Sequence, residues 1–278
     1  MSLPDTMVRE AWLWLGGSLL LAILWANLAW LFSPWAEEEK SKQTSASLAE
    51  RIVFSLAHWR FAPSLFQGLR LLYYVGLPSA ALFWGRDAVV SRLLGLQRLA
   101  LPNPAAASGG TSLSANWSDW TQDLGWTAVI GLSSGALLLL AAFARRQALS
   151  TADVHAGGNR TPAWKAAREA AYHEVHWAFY RNAPIVALGS YWGIWAGLGL
   201  VALEAAANPA WREDLRKPGQ AWPRLSRAAL AVISTVLFLR TQNLWLALAL
   251  HWATLWTLEV VYGVPQVVPP AHDAASGP

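Results

Sequence analysis

Cysteine is absent from the 278 residues and charge is scarce. Without a thiol there is no disulfide framework, no thiolate metal site, no cysteine-ligated iron–sulfur cluster and no cysteine nucleophile. Charged residues make up 14% of the chain, against about 25% in an ordinary soluble domain. The motifs of common soluble enzymes are missing too: there is no GxSxG elbow, no HExxH and no phosphate-binding loop. What is present instead is 55% hydrophobic residues with 19 Trp, and a mean hydropathy of +0.28. This composition excludes a disordered chain and argues against a soluble enzyme. The net charge of +4 comes from basic residues spread over loops. No single patch forms, so a nucleic-acid partner is not expected, whereas contact with anionic lipid headgroups is.

Residues 11–33 (AWLWLGGSLLLAILWANLAWLFS) carry no charge. At about 1.5 Å per residue they reach roughly 34 Å, enough to cross a hydrocarbon core. The apolar stretch is too long for a signal-peptide core, so it reads as a retained span. Glu37 to Lys42 marks an aqueous loop. A second apolar stretch, Ser64 to Gly85, contains Arg70 near one end, where it can snorkel to the headgroups. Arg86 to Leu101 alternates Arg with Leu and Val and reads as an amphipathic interfacial helix; Pro102 to Asn116 reads as a loop. Gly125 to Ala144 is a third span, and its Gly131–Gly135 stretch suits close helix packing. After a loop over Ser150 to Arg160, Thr161–Pro162 opens a helix, with Thr161 as N-cap, that runs to about Asn182. Pro184 separates it from a fourth span, Ile185 to Ala206, and Asn208 to Pro223 reads as a charged loop. Leu225 to Leu239, short for a full crossing, and Leu244 to Val261 complete the spans, and residues 263–278 are expected to be a disordered tail. The expected fold is all-α: a single polytopic membrane domain over residues 1–262 with about six transmembrane helices, within a range of five to seven, plus amphipathic interfacial helices. With alternating spans the two sides receive similar Lys and Arg, so the sequence does not orient the chain.

Ionisable residues at membrane depth are costly, which makes them candidates for function. His251 lies mid-helix, and Glu204 and Glu259 lie near span ends. The helix AREAAYHEVHWAFYRN adds Glu174 and Arg181, seven apart on one face, and a second stripe of Glu169, His173, His176 and Tyr180. For each there is a bland alternative: charges solvated at the interface, or an imidazole gluing two helices together.

The stretch Phe238 to His251 (FLRTQNLWLALALH), preceded by Phe179-Tyr180-Arg181-Asn182, resembles the CPBP intramembrane proteases, the family of CAAX prenyl proteases and bacteriocin-processing enzymes. The resemblance covers about residues 94–261, and Arg181 and His251 keep the family's register. In that family a glutamate pair activates a water that attacks a peptide bond, and later His and Asn residues complete the site. Here the glutamate places fall on His176 and Trp177. The segment expected to carry the second motif, Leu203 to Asn208, has no His, and the final Asn place is Leu255. The resemblance therefore implies a non-catalytic CPBP-like protein of a bacterial inner membrane, an accessory or scaffolding subunit among other integral membrane proteins and lipids. Two alternatives stand beside it. One is a divergent glutamate-type hydrolase using Glu174 or Glu204 with His176, Arg181 and His251. The other is a pigment-, quinone- or lipid-binding subunit with His251 as axial ligand. No cofactor is required by the sequence.

Overall fold

The computed structural model describes residues 5–38, 62–84, 117–148 and 162–262, and among the described residues there is no strand. In chain order the elements are α1 (Asp5–Glu38), α2 (Ala62–Leu71), a π-helical turn (Leu72–Gly76), α3 (Leu77–Trp84), α4 (Trp117–Ala148), α5 (Ala163–Ala207), α6 (Pro209–Arg216), α7 (Pro218–Thr241) and α8 (Leu244–Tyr262). The interfacial helix, the loops and the tail expected over 86–116, 150–160 and 263–278 lie outside the described residues.

Four helices, α4, α5, α7 and α8, are long and apolar enough to cross a membrane. In α4 only 6% of the most apolar window is buried within the protein, and Leu132, Leu137 and Leu140 are more than 60% exposed. Apolar side chains turned outward at this density need a lipid environment.

The central element is α5, and it is a hairpin. Gly189 has φ 77° and ψ 170°, a backbone region open to glycine and closed to other residues. The chain reverses there, so a first arm (163–188) packs antiparallel against a second (190–207). The closeness of the two arms depends on two glycines. A Cβ on Gly193 would sit 2.3 Å from Ile185 Cα, and one on Gly197 would sit 2.7 Å from Arg181 Cγ. The break expected at Pro184 is thus five residues early: the helix continues through Pro184 and turns at Gly189. Helix geometry begins at Ala163, with Pro162 just outside it and no side-chain cap; Thr161 lies outside the described residues.

The loop expected over Asn208 to Pro223 is a correction as well. Asn208 accepts from the backbone N–H of Ala210 and Trp211 and Pro209 takes the first helical position, which starts α6. α7 then begins at Pro218, two turns before the apolar run, and its 24 residues give about 36 Å, long enough to cross. Likewise α1 continues through Glu37 and Glu38.

The α7–α8 connection is built by its own polar residues. Gln242 adopts the left-handed region at φ 47°. Thr241 Oγ1 donates to Leu237 O and accepts from Asn243 N–H. Asn243 Oδ1 accepts from Trp245 and Leu246 N–H, capping α8. The first arm of α5 is buried along most of its length. On one side it meets Leu15 of α1, Ala81 of α3 and Leu244 of α8, and on another Leu230 and Ala231 of α7. Gly131 of α4 admits Leu250 of α8, where a Cβ would lie 2.7 Å from its Cδ1.

These contacts fix which helix ends share a side of the bundle. Arg70 pairs with Glu169 at the start of α5, and Asn27 of α1 reaches Ala207 O at its end. Leu258 packs with Leu138, Ala142 and Trp222, joining the ends of α8 and α4 to the start of α7.

Candidate functional site

The polar residues of the first arm divide between two faces, and each face builds a carboxylate–imidazole pair. On the face toward α7 and α8, His251 Nδ1–H donates to Glu174 Oε1 at 2.9 Å. Ser234 Oγ–H donates to Glu174 Oε2 at 2.6 Å. Arg181 Nη2 in turn donates to Ser234 Oγ at 3.1 Å. The serine thus relays between a buried cation and a buried anion that do not touch. Glu174, Arg181 and His251 are 0%, 1% and 3% exposed. Trp177 stacks on the His251 ring at 5.3 Å and 19°, and Phe238 lies under the Arg181 guanidinium at 4.7 Å. Both oxygens of Glu174 are engaged. The neighbouring crevice, lined by Trp177, Arg181, Leu198, Val201, Ala231 and Thr235, is too tight to hold a water.

The first face leaves Arg181 Nη1 buried without a partner; the opposite face leaves an imidazole nitrogen so. His176 Nε2 and Glu204 Oε2 are 3.0 Å apart, a contact across 28 residues that only the Gly189 reversal permits. A carboxylate only accepts, so Nε2 carries the proton between them; in the neutral ring Nδ1 then holds the lone pair. Nδ1 is buried and has no hydrogen-bond partner in the protein. Around the imidazole stand Tyr180, Tyr74 and Tyr73, with ring centroids at 4.2, 5.0 and 5.1 Å. The Tyr73 hydroxyl lies 3.3 Å from that of Tyr180. The Glu204 side chain is 23% exposed, and Glu204 is within one turn of the end of the second arm.

His173 links the two faces. Its ring is 5.8 Å from that of His251 and 5.9 Å from that of Tyr74, and its Nδ1–H donates to Glu169 O at 2.7 Å. Above it, both Arg70 Nη atoms grip the Glu169 carboxylate, and Arg70 also covers the rings of Tyr74 and Tyr172. The expectation that Arg70 snorkels to headgroups gives way to this forked pairing with a carboxylate.

All five site residues expected from the sequence are therefore drawn to the two faces of one arm: Glu174, Arg181 and His251 on one, His176 and Glu204 on the other. Glu259 lies two turns beyond His251 and joins neither. Ser234, Tyr73 and Tyr74 were not foreseen. Two adjacent hydroxyls, Ser234 and Thr235, at the centre of an otherwise apolar span are the signal by which the first could have been found. Among the described residues no group of three or more His, Asp or Glu is arranged to hold a metal. No family model matches this chain, and no curated protein or solved structure is significantly similar to it.

Proposed function

We propose that this chain is a multi-pass membrane hydrolase in which His176, oriented by Glu204, activates a water at the membrane boundary. The observation that carries the proposal is the unequal saturation of the two pairs. Glu174–His251 has both carboxylate oxygens engaged beside a crevice without room for water, which is the arrangement of a structural lock. His176–Glu204 keeps Nδ1 without a partner beneath Tyr73, Tyr74 and Tyr180, which must move aside to admit a water, and its carboxylate is partly exposed. A carboxylate holding one imidazole nitrogen while the other takes a proton is the logic of a general base. In that role His176 Nδ1 takes a proton from water and the oxygen adds to a carbonyl carbon. The bond to the leaving amine or alcohol then breaks, and the proton passes to the leaving group. Glu204 acts as a positioning residue. Arg181 and His251, the residues in register with the CPBP proteases that the chain resembles, belong to the lock; an amide bond in a membrane-borne peptide, the substrate class of those proteases, is the one to test first.

In this reading α1, the α2–α3 run, α4, both arms of α5, α7 and α8 each cross the membrane, seven crossings rather than six. The additional crossing changes the charge arithmetic. Arg70, Arg145, Arg146, Lys165 and Arg168 gather at the end where α5 begins. Arg212, Arg216, Lys217, Arg224 and Arg227 of α6 and α7 join them. Arg9 and Arg240 alone among the described basic residues mark the other end. The crowded end is cytoplasmic by the excess of basic residues on inner loops.

A second reading, an accessory subunit of a larger membrane complex, draws support from α8. Trp245, Trp252 and Trp256 are 38–42% exposed at spacings of seven and four, one outward seam suited to another helix. The deciding experiment is purification followed by reconstitution into liposomes with a quenched fluorescent transmembrane peptide. Cleavage abolished by His176→Gln supports the hydrolase. Absence of cleavage, with a stoichiometric membrane partner co-purifying, supports the subunit.

A further inference from the structure

Arginines gather where α2, the start of α5 and α7 meet, and their pairing is uneven. Arg70 grips the Glu169 carboxylate with both Nη atoms. Arg168 Nη2 reaches the same carboxylate at 3.3 Å, while its Nε is buried and has no hydrogen-bond partner. Arg224 is satisfied by Asp214 of α6, its Nε–H donating to Oδ2 at 2.8 Å. Arg227 lies one turn further along α7 and is half-buried. Among the described residues it forms no ion pair and no hydrogen bond. Its strongest charged neighbour is another cation, Arg224; Arg70 comes next and Glu169 last. The single carboxylate of Glu169 thus serves three guanidinium groups, and with the Arg224–Asp214 pair the cluster is left with two positive charges over. Like charges held together at partial burial repel, and an anion that enters relieves the repulsion. The surrounding rings set the depth. Trp164 is 60% exposed and lies 5.4 Å from the Arg168 guanidinium, and the Trp211 ring lies 6.0 Å from that of Arg224. Trp interleaved with Arg marks the membrane–water boundary, where lipid phosphates stand.

We propose that this cluster binds the phosphate of an anionic phospholipid, with Arg227 and Arg168, which both face Glu169, as the donors. A guanidinium presents paired N–H groups that match two phosphate oxygens. Glu169 and Asp214 hold Arg70 and Arg224 in place, so those two add to the positive field without giving up their own partners. A zwitterionic headgroup carries a cation that the surplus charge repels, whereas an anionic headgroup carries none, so the site prefers the anionic lipid. The inference stands on α2, α5, α6 and α7 and is independent of the His176–Glu204 reading.

The test is native mass spectrometry of the detergent-purified full chain, titrated separately with dioleoyl phosphatidylglycerol and dioleoyl phosphatidylcholine. One phosphatidylglycerol is expected to bind roughly tenfold more tightly than phosphatidylcholine. Arg227→Gln is expected to weaken phosphatidylglycerol binding about fivefold, the share of one arginine near a lipid surface, and to leave phosphatidylcholine binding as it was. The same variant is expected to unfold at the native temperature in lipid-free detergent, because the side chain it removes has no protein partner. Arg240→Gln, about 20 Å away along α7, leaves the preference unchanged. Inorganic phosphate at millimolar concentration is expected to leave the bound lipid in place. Equal binding of the two lipids by the native chain overturns the proposal, as does an Arg227→Gln protein that keeps the native preference. Release of the lipid by inorganic phosphate assigns the site to the free anion and overturns it as well.

Discussion

At the residue scale the account turns on how buried polar atoms are satisfied. Ser234 is the smallest part of the Glu174 network and the easiest to remove cleanly. Ser234→Ala leaves a carboxylate oxygen unpaired in the interior and Arg181 Nη2 with only its long contact to Thr235 Oγ1 at 3.5 Å. It is expected to cost about 1–3 kcal/mol, read as a lowered unfolding midpoint in detergent. Arg181→Met removes the cation that reaches Glu174 through Ser234 and should cost about 1–3 kcal/mol. A stability unchanged in both variants would contradict the description of this network as a lock. Glu174, Arg181 and His251 were legible in the sequence because an ionisable side chain at membrane depth has few bland explanations. Which imidazole pairs with which carboxylate was not legible. His176 and Glu204 are far apart in sequence, and only a reversal between them brings them together. Ser234 and Tyr73 were hidden for a different reason: a hydroxyl in a span is cheap, and nothing in its identity says that it faces a charge.

At the element scale the decisive feature is the α5 hairpin. Its two glycines differ in kind from the rest. Gly193→Ala drives a methyl group into the Ile185 backbone and should cost about 3 kcal/mol or more. Gly199→Ala on the same arm meets nothing within 4 Å and should change stability by no more than about 0.5 kcal/mol. Thermal unfolding of the two variants side by side checks the arm packing directly; equal effects would contradict it. Pro184 and Gly189 compete as break signals in the sequence. Proline is tolerated where neighbouring helices stabilise the freed carbonyl, whereas a reversal needs the positive φ that glycine supplies. The Asn208–Pro209 start of α6 was readable as a cap and was lost among its charged neighbours. The string Arg240–Trp245, which carries much of the family resemblance, has a local role of its own. Thr241 and Asn243 close one helix and cap the next, so part of the motif is turn chemistry required by any two helices joined this way.

At the scale of the whole molecule, the membrane class was legible from the scarcity of charge, and the all-helical reading from apolar runs about 20 residues long. The orientation was not, since it depends on counting both arms of α5 as crossings. The cysteine-free chain makes the orientation simple to test. A single cysteine at Lys217 should react with an impermeant maleimide only in inside-out vesicles, and one at Arg240 only in intact spheroplasts. The reverse pattern would contradict the assignment. The same geometry sets the pair proposed as reactive against the Glu174–His251 pair, and the comparison of their variants in liposomes tests the central claim most directly. Glu204→Gln and His176→Gln are expected to unfold at the native temperature and to lose about a hundredfold or more in peptide cleavage. Glu174→Gln is expected to lose stability first. If Glu204→Gln and His176→Gln cleave at the native rate, the pair is not the catalytic one and the account fails.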